Sequence, residues 1–318
     1  MGSDSPAGGA IVFPGMGPTP FAEVGKFMLT NPCARRLVAA ADDVLGYSLV
    51  DRYRDSDEAY SESAQVAFMV NCLALAEWAG EEFGIAPEYC AGPSFGAKAS
   101  TAYVQSLPFA DAVMMTAEFA RCLAGYFADE HRDIVTHSFI RTPADLLHEV
   151  LSEMDERGNW YDIACYLDRD FYMVSLHEGD LEWLQQRVRS IGGLSLYTMR
   201  PPMHSKLFGA LRRKAEEEVL GKLRFADPTV PVVSDHDGSL LRSGEQIRTL
   251  VLDGIVRPLR WPEVVATLRG LDVTKVMIAG PDGLFGRVGC TTDNFEVMRL
   301  TPRLALQPRR RPDARAGR

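Results

Sequence analysis

The sequence predicts an α/β protein in which a large domain, built on a mainly parallel sheet, is interrupted by a small inserted α+β domain. Three stretches carry that prediction. AIVFPGMG at 10–17 is a β-rich run ending in Pro and Gly, the pattern of a buried strand followed by a loop. EYCAGPSFGAKAS at 88–100 reads as strand, glycine-rich turn and helix. From Val135 to Tyr197 the order is strand (THSFIR), helix (PADLLHEVLSEMDERG), strands (WYDIACYL and FYMVSL), helix (GDLEWLQQRVRSI) and strand (LSLYTM). That β-α-β-β-α-β order is the ferredoxin-like signature. Elsewhere strands alternate with helices, which favours parallel pairing, and the strand–turn–helix at Ser94 makes the large domain α/β-hydrolase-like.

The remaining elements follow in order. Phe21–Leu45 and Ala64–Phe83 have helical spacing, and the second is almost wholly apolar (VAFMVNCLALAEWAG), as befits a helix buried inside a large domain. After the insert come a helix over 205–222, a strand in VPVVSD, a helix near 243–253, a helix over 261–270 and a strand in KVMIAG. The predicted division is a large domain of 1–124 and 199–306, a small domain of 125–198, and a disordered basic tail at 307–318, QPRRRPDARAGR.

Composition narrows the function. The 318 residues suit one large domain with a smaller companion, and 46% hydrophobic with 24% charged residues is ordinary for a globular chain. A net charge of -9 argues against general nucleic-acid binding. No run approaches the ~18 apolar residues of a membrane helix, and MGSDSPAGGA shows neither the basic nor the apolar segment of a secretory signal. Cys33, Cys72, Cys90, Cys122, Cys165 and Cys290 are scattered without a C-x-x-C pair. They read as reduced core thiols of a cytoplasmic protein, with no metal site expected.

The chemistry centres on Gly92-Pro93-Ser94-Phe95-Gly96, a G-x-S-x-G core. Ser94 is either a nucleophile on a sharp turn or a serine in a glycine-tight loop. A nucleophilic serine needs a base, and there are six histidines. His131 and His137 lie near the insert boundary, His148 and His177 inside it, and His236 in the turn-like SDHDG. His204, in MRPPMHSKLF, stands where the chain leaves the insert and re-enters a helix. It is the candidate base, since such pairs are defined by geometry and not by order in the chain; the alternative is a surface histidine.

Six motifs in order resemble the malonyl-CoA:acyl-carrier-protein acyltransferase family over roughly residues 10–300. VFPGMG (12–17) is similar to its FPGQG loop and SAQVAFMV (63–70), with Gln65, to its T/S-Q-P-A helix start. GIAPEYCAGPSFGAKAS is similar to its elbow, LPFADAV (107–113) to L-S-F-E-D-A, PMHSKLF to F/S-H-S-x-L-M, and RPLRW (257–261) to N-P-V-R-W. The resemblance implies that Ser94 forms an acyl-enzyme, with His204 as base and then acid. A backbone carbonyl around Gly254 would orient His204, and the amides of Met16 and Phe95 would form the oxyanion hole. CoA or a phosphopantetheine arm enters only as the acyl carrier, and acyl carrier proteins are the implied partners.

Four departures bear on specificity. Pro93 replaces the family's elbow His. The family's carboxylate-binding Arg aligns with Phe119, and a phenyl ring cannot pair with a carboxylate. Arg121, two residues on, is turned away by roughly 200° of helix. Leu167 and Phe171 fall on positions that are polar near the family's acyl pocket, and Pro201, Pro202 and Met203 precede the base. These imply a neutral or bulky acyl group of starter, aminoacyl or dipeptidyl type, moved between carriers in polyketide biosynthesis. The alternatives are a hydrolase that clears acyl groups from carriers, an ordinary malonyl transacylase, and a non-catalytic carrier-binding partner. Carrier proteins are acidic, so Lys206, Arg212, Arg213, Lys214, Arg257, Arg260 and Arg299 are the candidate contacts.

Overall fold

The computed structural model describes residues 9–307; most of the basic tail lies outside the described residues. Strands β1 (Gly9–Val12), β2 (Tyr89–Ala91), β3 (Ile134–Ile140), β4 (Tyr161–Asp168), β5 (Phe171–His177), β6 (Leu194–Met199), β7 (Val232–Val233), β8 (Leu240–Leu241), β9 (Leu259–Arg260), β10 (Lys275–Ala279) and β11 (Glu296–Leu300) form two sheets. The larger runs β11-β10-β1-β2-β7-β8 and is parallel except at β8. Both predicted strands at its centre, β1 and β2, are apolar and buried, as a parallel sheet covered on both faces requires.

The apolar run at 64–83 is the helix Glu62–Phe83, buried over most of its length and capped by Ser61, whose side chain accepts the Ala64 N–H. The single helical stretch expected over Phe21–Leu45 is instead two helices, Phe21–Thr30 and Pro32–Leu45. Pro32 has no N–H to continue the first helix, and Asn31 turns extended and accepts the Ala34 N–H at 3.2 Å, starting the second. The stretch expected as a helix over 205–222 is likewise broken, with α-helix only over Gly209–Glu218 between two 3₁₀ turns.

The smaller sheet has the order β6-β3-β5-β4-β9. Its four antiparallel strands, with helices Ala144–Glu156 and Glu178–Ser190, are the ferredoxin-like unit. The helix Phe109–Asp129 runs through residue 125, so the expected division at 124/125 falls inside it and the small sheet starts at Ile134. Along β5, Tyr172, Val174 and Leu176 pack under the two helices while Phe171 and Met173 face the large domain, the two-residue alternation of a strand. The fifth strand comes from the large domain: β9 pairs parallel with β4, Cys165 opposite Leu259 and Tyr166 opposite Arg260. Trp261, fully buried, then packs with Leu167, Phe171 and Phe285 and donates from Nε1 to Thr291 Oγ1 at 2.7 Å, so the two sheets share a core.

All six cysteines are free thiols, five buried and Cys290 partly exposed. Among the described residues, no helix is long and apolar enough to cross a membrane.

Candidate active site

The elbow follows from two glycines. A side chain on Gly96 would begin 1.9 Å from the Phe13 carbonyl oxygen, and one on Gly92 would begin 2.5 Å from the Gly96 carbonyl oxygen. Only glycine fits either place, so β2 can turn into the helix Gly96–Tyr103 within four residues. The turn closes through Gly96 N–H to Pro93 O at 3.0 Å and Ala97 N–H to Ser94 O at 3.1 Å. Ser94 itself stands at φ +54°, in the left-handed region. Its N–H donates to Asp235 Oδ2 at 2.7 Å, which ties the elbow to the segment after β7. Pro93 is compatible with this geometry, because it contributes its carbonyl and not an N–H.

His204 completes the pair. Ser94 Oγ and His204 Nε2 are 2.8 Å apart, and His204 Nδ1 lies 3.1 Å from the Arg257 carbonyl oxygen. A carbonyl can only accept, so Nδ1 carries the hydrogen and Nε2 is left to accept from the serine hydroxyl. The orienting carbonyl is therefore that of Arg257 and not of Gly254, a correction to the sequence reading. Pairing of β9 with β4 draws residues 257–260 toward the small sheet and brings this carbonyl to the imidazole. Gly254 ends the helix Gly244–Asp253 and lines the cavity beside Ser94 instead. Burial holds the His204 pKa down to about 4, opposed by the Asp235 carboxylate and by the bond to Arg257. The imidazole is accordingly neutral, and able to act as a base, across the physiological range.

Asp235 was not singled out by sequence. It is 2% exposed, accepts the Ser94 N–H, and places Oδ1 3.5 Å from His236 Nε2. The only local signal was two acidic residues flanking a histidine in SDHDG, which reads equally well as a turn.

A cavity opens beside Ser94. Met16, Gln65, Phe95, Phe119 and Met203, all candidates from sequence, line it. Leu167 and Phe171 do not: they lie in the core shared with Trp261 and Phe285. Both sit on the face of the small sheet that packs on the large domain, and the wall expected of them is built by Met199, at the end of β6, and Pro201. Arg121 is outside, paired with Glu62 at 2.7 Å on the surface.

Lys98 is the residue that changes the picture of this cavity. It is 7% exposed, donates from Nζ to Gln65 Oε1 at 3.2 Å, and lies 4.3 Å from the Phe119 ring centre and 4.7 Å from that of Phe95. The cavity therefore holds a cation that the sequence reading did not consider, an amine from the first turn of the helix after the elbow. Burial pulls its pKa from 10.5 down to about 7. Lys98 stands in the first turn of the helix Gly96–Tyr103, right after the elbow, and was not singled out by sequence.

Of the candidate carrier contacts, Lys206, Arg212, Arg213, Arg257 and Arg260 line one surface recess with His236. Arg299 does not join them; it lies on β11 beside Arg287 and Arg303. Arg212 pairs with Asp253 and Glu216, Arg257 with Asp237, and Arg260 stacks 4.4 Å from the Tyr166 ring centre. Lys206 and Arg213 make no ion pair among the described residues.

A serine on a strained elbow, hydrogen-bonded to a neutral histidine that a carbonyl orients, is equipped for covalent acyl chemistry, and with this fold it defines an acyltransferase of the serine–histidine class. Residues 138–199 match the family described as the VinK acyltransferase small domain. Along most of its length the chain is similar to a probable mitochondrial malonyl-CoA-acyl carrier protein transacylase of Drosophila melanogaster, 27% identical over 85% of this chain and 76% of that one. It is also 25% identical to the malonyl CoA-acyl carrier protein transacylase of Bacillus subtilis, over 86% of each chain. In fold it is similar to FabD from Acinetobacter baumannii, with a TM-score of 0.82, 17% identity, and 94% of this chain and 96% of that one covered. A type II PKS malonyl-transacylase, solved in complex with its acyl-carrier protein, superposes with a TM-score of 0.81 at 20% identity, over 92% of this chain and 96% of that one. In sequence and in fold the chain is thus similar to malonyl-CoA:acyl-carrier-protein transacylases along most of its length.

Proposed function

We propose that this protein moves a neutral, non-malonyl acyl group between carrier thioesters through an ester on Ser94. The observation that carries the reading is the 2.8 Å Ser94–His204 contact at a cavity lined by Phe119, the residue that the sequence resemblance aligns with the family's carboxylate-binding Arg. His204 takes the Ser94 proton as Oγ attacks the thioester carbonyl. The amides of Met16 and Phe95, two residues that line the cavity, receive the oxyanion, and such donors are worth about 3 kcal/mol each. The tetrahedral intermediate then collapses: the C–S bond breaks, and His204 returns the proton to the leaving thiolate. A second thiol, on the phosphopantetheine arm of a carrier protein, repeats the sequence in reverse.

Two features support a neutral acyl group. Arg121 is engaged with Glu62 outside the cavity. Lys98, the cation inside, is held in surroundings that disfavour its charge, so a carboxylate bound there would meet a desolvated and partly deprotonated amine. For the partner, the recess that holds Lys206, Arg212, Arg213, Arg257 and Arg260 supports an acidic carrier protein, whose arm would enter beside the 254–258 segment. Arg299 lines a separate recess.

The test is intact mass after incubation with malonyl-CoA and with neutral acyl-pantetheine thioesters, with Ser94→Ala as control. A neutral adduct that persists in water and departs on addition of holo carrier protein supports the reading. Decay without any thiol makes the enzyme a hydrolase. A malonyl adduct in preference to the others makes it an ordinary extender-loading enzyme, and no adduct from any thioester makes it a non-catalytic partner.

A further inference from the structure

The lining of the acyl cavity has a definite hydrogen-bonding polarity. Gln65 is engaged at both ends: its Nε2 donates to the Tyr60 carbonyl at 2.9 Å, and its Oε1 accepts from Lys98 at 3.2 Å. Lys98 has that one hydrogen bond and otherwise faces the rings of Phe95 and Phe119. Tyr60 lines the same cavity, and its hydroxyl is buried without a hydrogen-bond partner. Lys98 thus keeps donor capacity beyond its bond to Gln65, and the Tyr60 hydroxyl, which can donate or accept, has no partner among the described residues. Buried polar groups of this kind are costly unless something meets them, and in a substrate cavity that something is the substrate.

We propose that Lys98, assisted by Tyr60, is the specificity-determining group of the cavity, and that it selects acyl chains carrying a neutral carbonyl oxygen, a ketone or an amide, at the depth where Phe95 and Phe119 meet. The assignment rests on the acyl-transfer reading above and names the acyl class within it. A ketone or amide oxygen is satisfied by the amine in either protonation state, whereas a carboxylate requires the ammonium form in apolar surroundings. The lowered pKa of Lys98 is consistent with that preference. An acyl group with a free ammonium at this depth is disfavoured by like charge with Lys98. A saturated hydrocarbon chain fits the rings but offers neither group a partner.

A carbonyl scan tests this. Acylation rates are measured by intact mass with hexanoyl-, 3-oxohexanoyl-, 4-oxohexanoyl- and 5-oxohexanoyl-pantetheine, beside malonyl-CoA and β-alanyl-pantetheine. Binding of the same thioesters to Ser94→Ala is followed by thermal shift, so that recognition is read apart from chemistry. The proposal expects one oxo position to exceed hexanoyl by tenfold or more, the scale of a hydrogen bond to a buried, potentially charged donor. Lys98→Met should collapse that ratio toward one, and Lys98→Gln, which keeps a donor, should restore part of it. A ratio near one at every position in the wild type, with Ser94 acylated, overturns the lysine assignment and leaves the acyl-transfer reading standing. A preference for malonyl-CoA that Lys98→Met removes overturns the neutral class. An oxo preference in Ser94→Ala binding without acylation of the wild type by any thioester overturns the transfer reading and keeps Lys98 as a binding group.

Discussion

Ser94 and His204, 110 residues apart, meet at 2.8 Å with both backbones in the left-handed region, at φ +54° and +64°. Neither is glycine, so each is held where an L-residue pays on the order of 1–2 kcal/mol. The surroundings impose these angles. Gly92 and Gly96 leave no room for a wider elbow, Asp235 takes the Ser94 N–H, and the carbonyl of Arg257 pins the imidazole. Strain at both partners keeps Oγ and Nε2 facing each other before any substrate arrives.

The positive φ at Ser94 predicts that Ser94→Gly is more stable than Ser94→Ala by about 1 kcal/mol, although both lack the nucleophile. Urea midpoints of the two variants decide it; equal stability, or a more stable Ala variant, would show that the elbow is relaxed.

The pH profile of acylation follows from His204. Its folded pKa of about 4 lies below the ordinary 6.5, so the imidazole stays neutral, and competent as a base, as pH falls through 6.5. Acylation should therefore persist to about pH 5 and decline toward pH 4. Asp235→Asn keeps an acceptor for the Ser94 N–H but removes the nearby negative charge that favours the imidazolium. The variant should acylate about tenfold more slowly at pH 7, with its acid limb moved to still lower pH. An acid limb near 6.5 in the wild type would contradict the burial argument.

Lys98 should cost stability. Its folded pKa of about 7 lies below the 10.5 of an exposed lysine, so between these values the unfolded chain holds a proton that the folded one lacks. Stability then rises with pH across that window, and the penalty is greatest at pH 7 and below. Lys98→Met is expected to be more stable by about 1–4 kcal/mol at pH 7, with the gap narrowing by pH 10. Chemical denaturation at the two pH values measures the difference; a gap independent of pH would place its origin in packing and not in charge.

The basic recess is testable with Lys206 and Arg213, which make no ion pair among the described residues. Lys206→Glu and Arg213→Glu should raise KM for a holo carrier protein by roughly tenfold per charge reversal, more than for free pantetheine, and should weaken the salt dependence of transfer. The same reversal at Arg299, on another surface, separates recess binding from a general effect of charge. Equal effects of all three would mean that net charge alone governs association.

Much of the architecture was legible in the chain because it is written in local terms. Apolar periodicity marked the helix Glu62–Phe83, and the β-α-β-β-α-β order marked the small domain. The G-x-S-x-G spacing marked the elbow because two of its positions admit no side chain at all. Proline and asparagine at 31–32 carried the break between the first two helices, a signal that the helical spacing on either side overrode.

What tertiary structure alone decided depends on long-range packing. Leu167 and Phe171 are apolar on any reading; only the seating of the small sheet on Trp261 and Phe285 puts them in a shared core and not in the acyl cavity. The two-residue strand β9 is too short for a periodic signal, yet its pairing with β4 determines that the Arg257 carbonyl, and not that of Gly254, meets His204. Lys98 sits in a helix that sequence predicts correctly, but whether its amine reaches water or the rings of Phe95 and Phe119 depends on where the helix Phe109–Asp129 crosses it. Sequence determined which residues could do the chemistry; the packing of distant segments decided which of them face the same few ångströms of space, because burial and contact are properties of the assembled chain and not of any stretch of it.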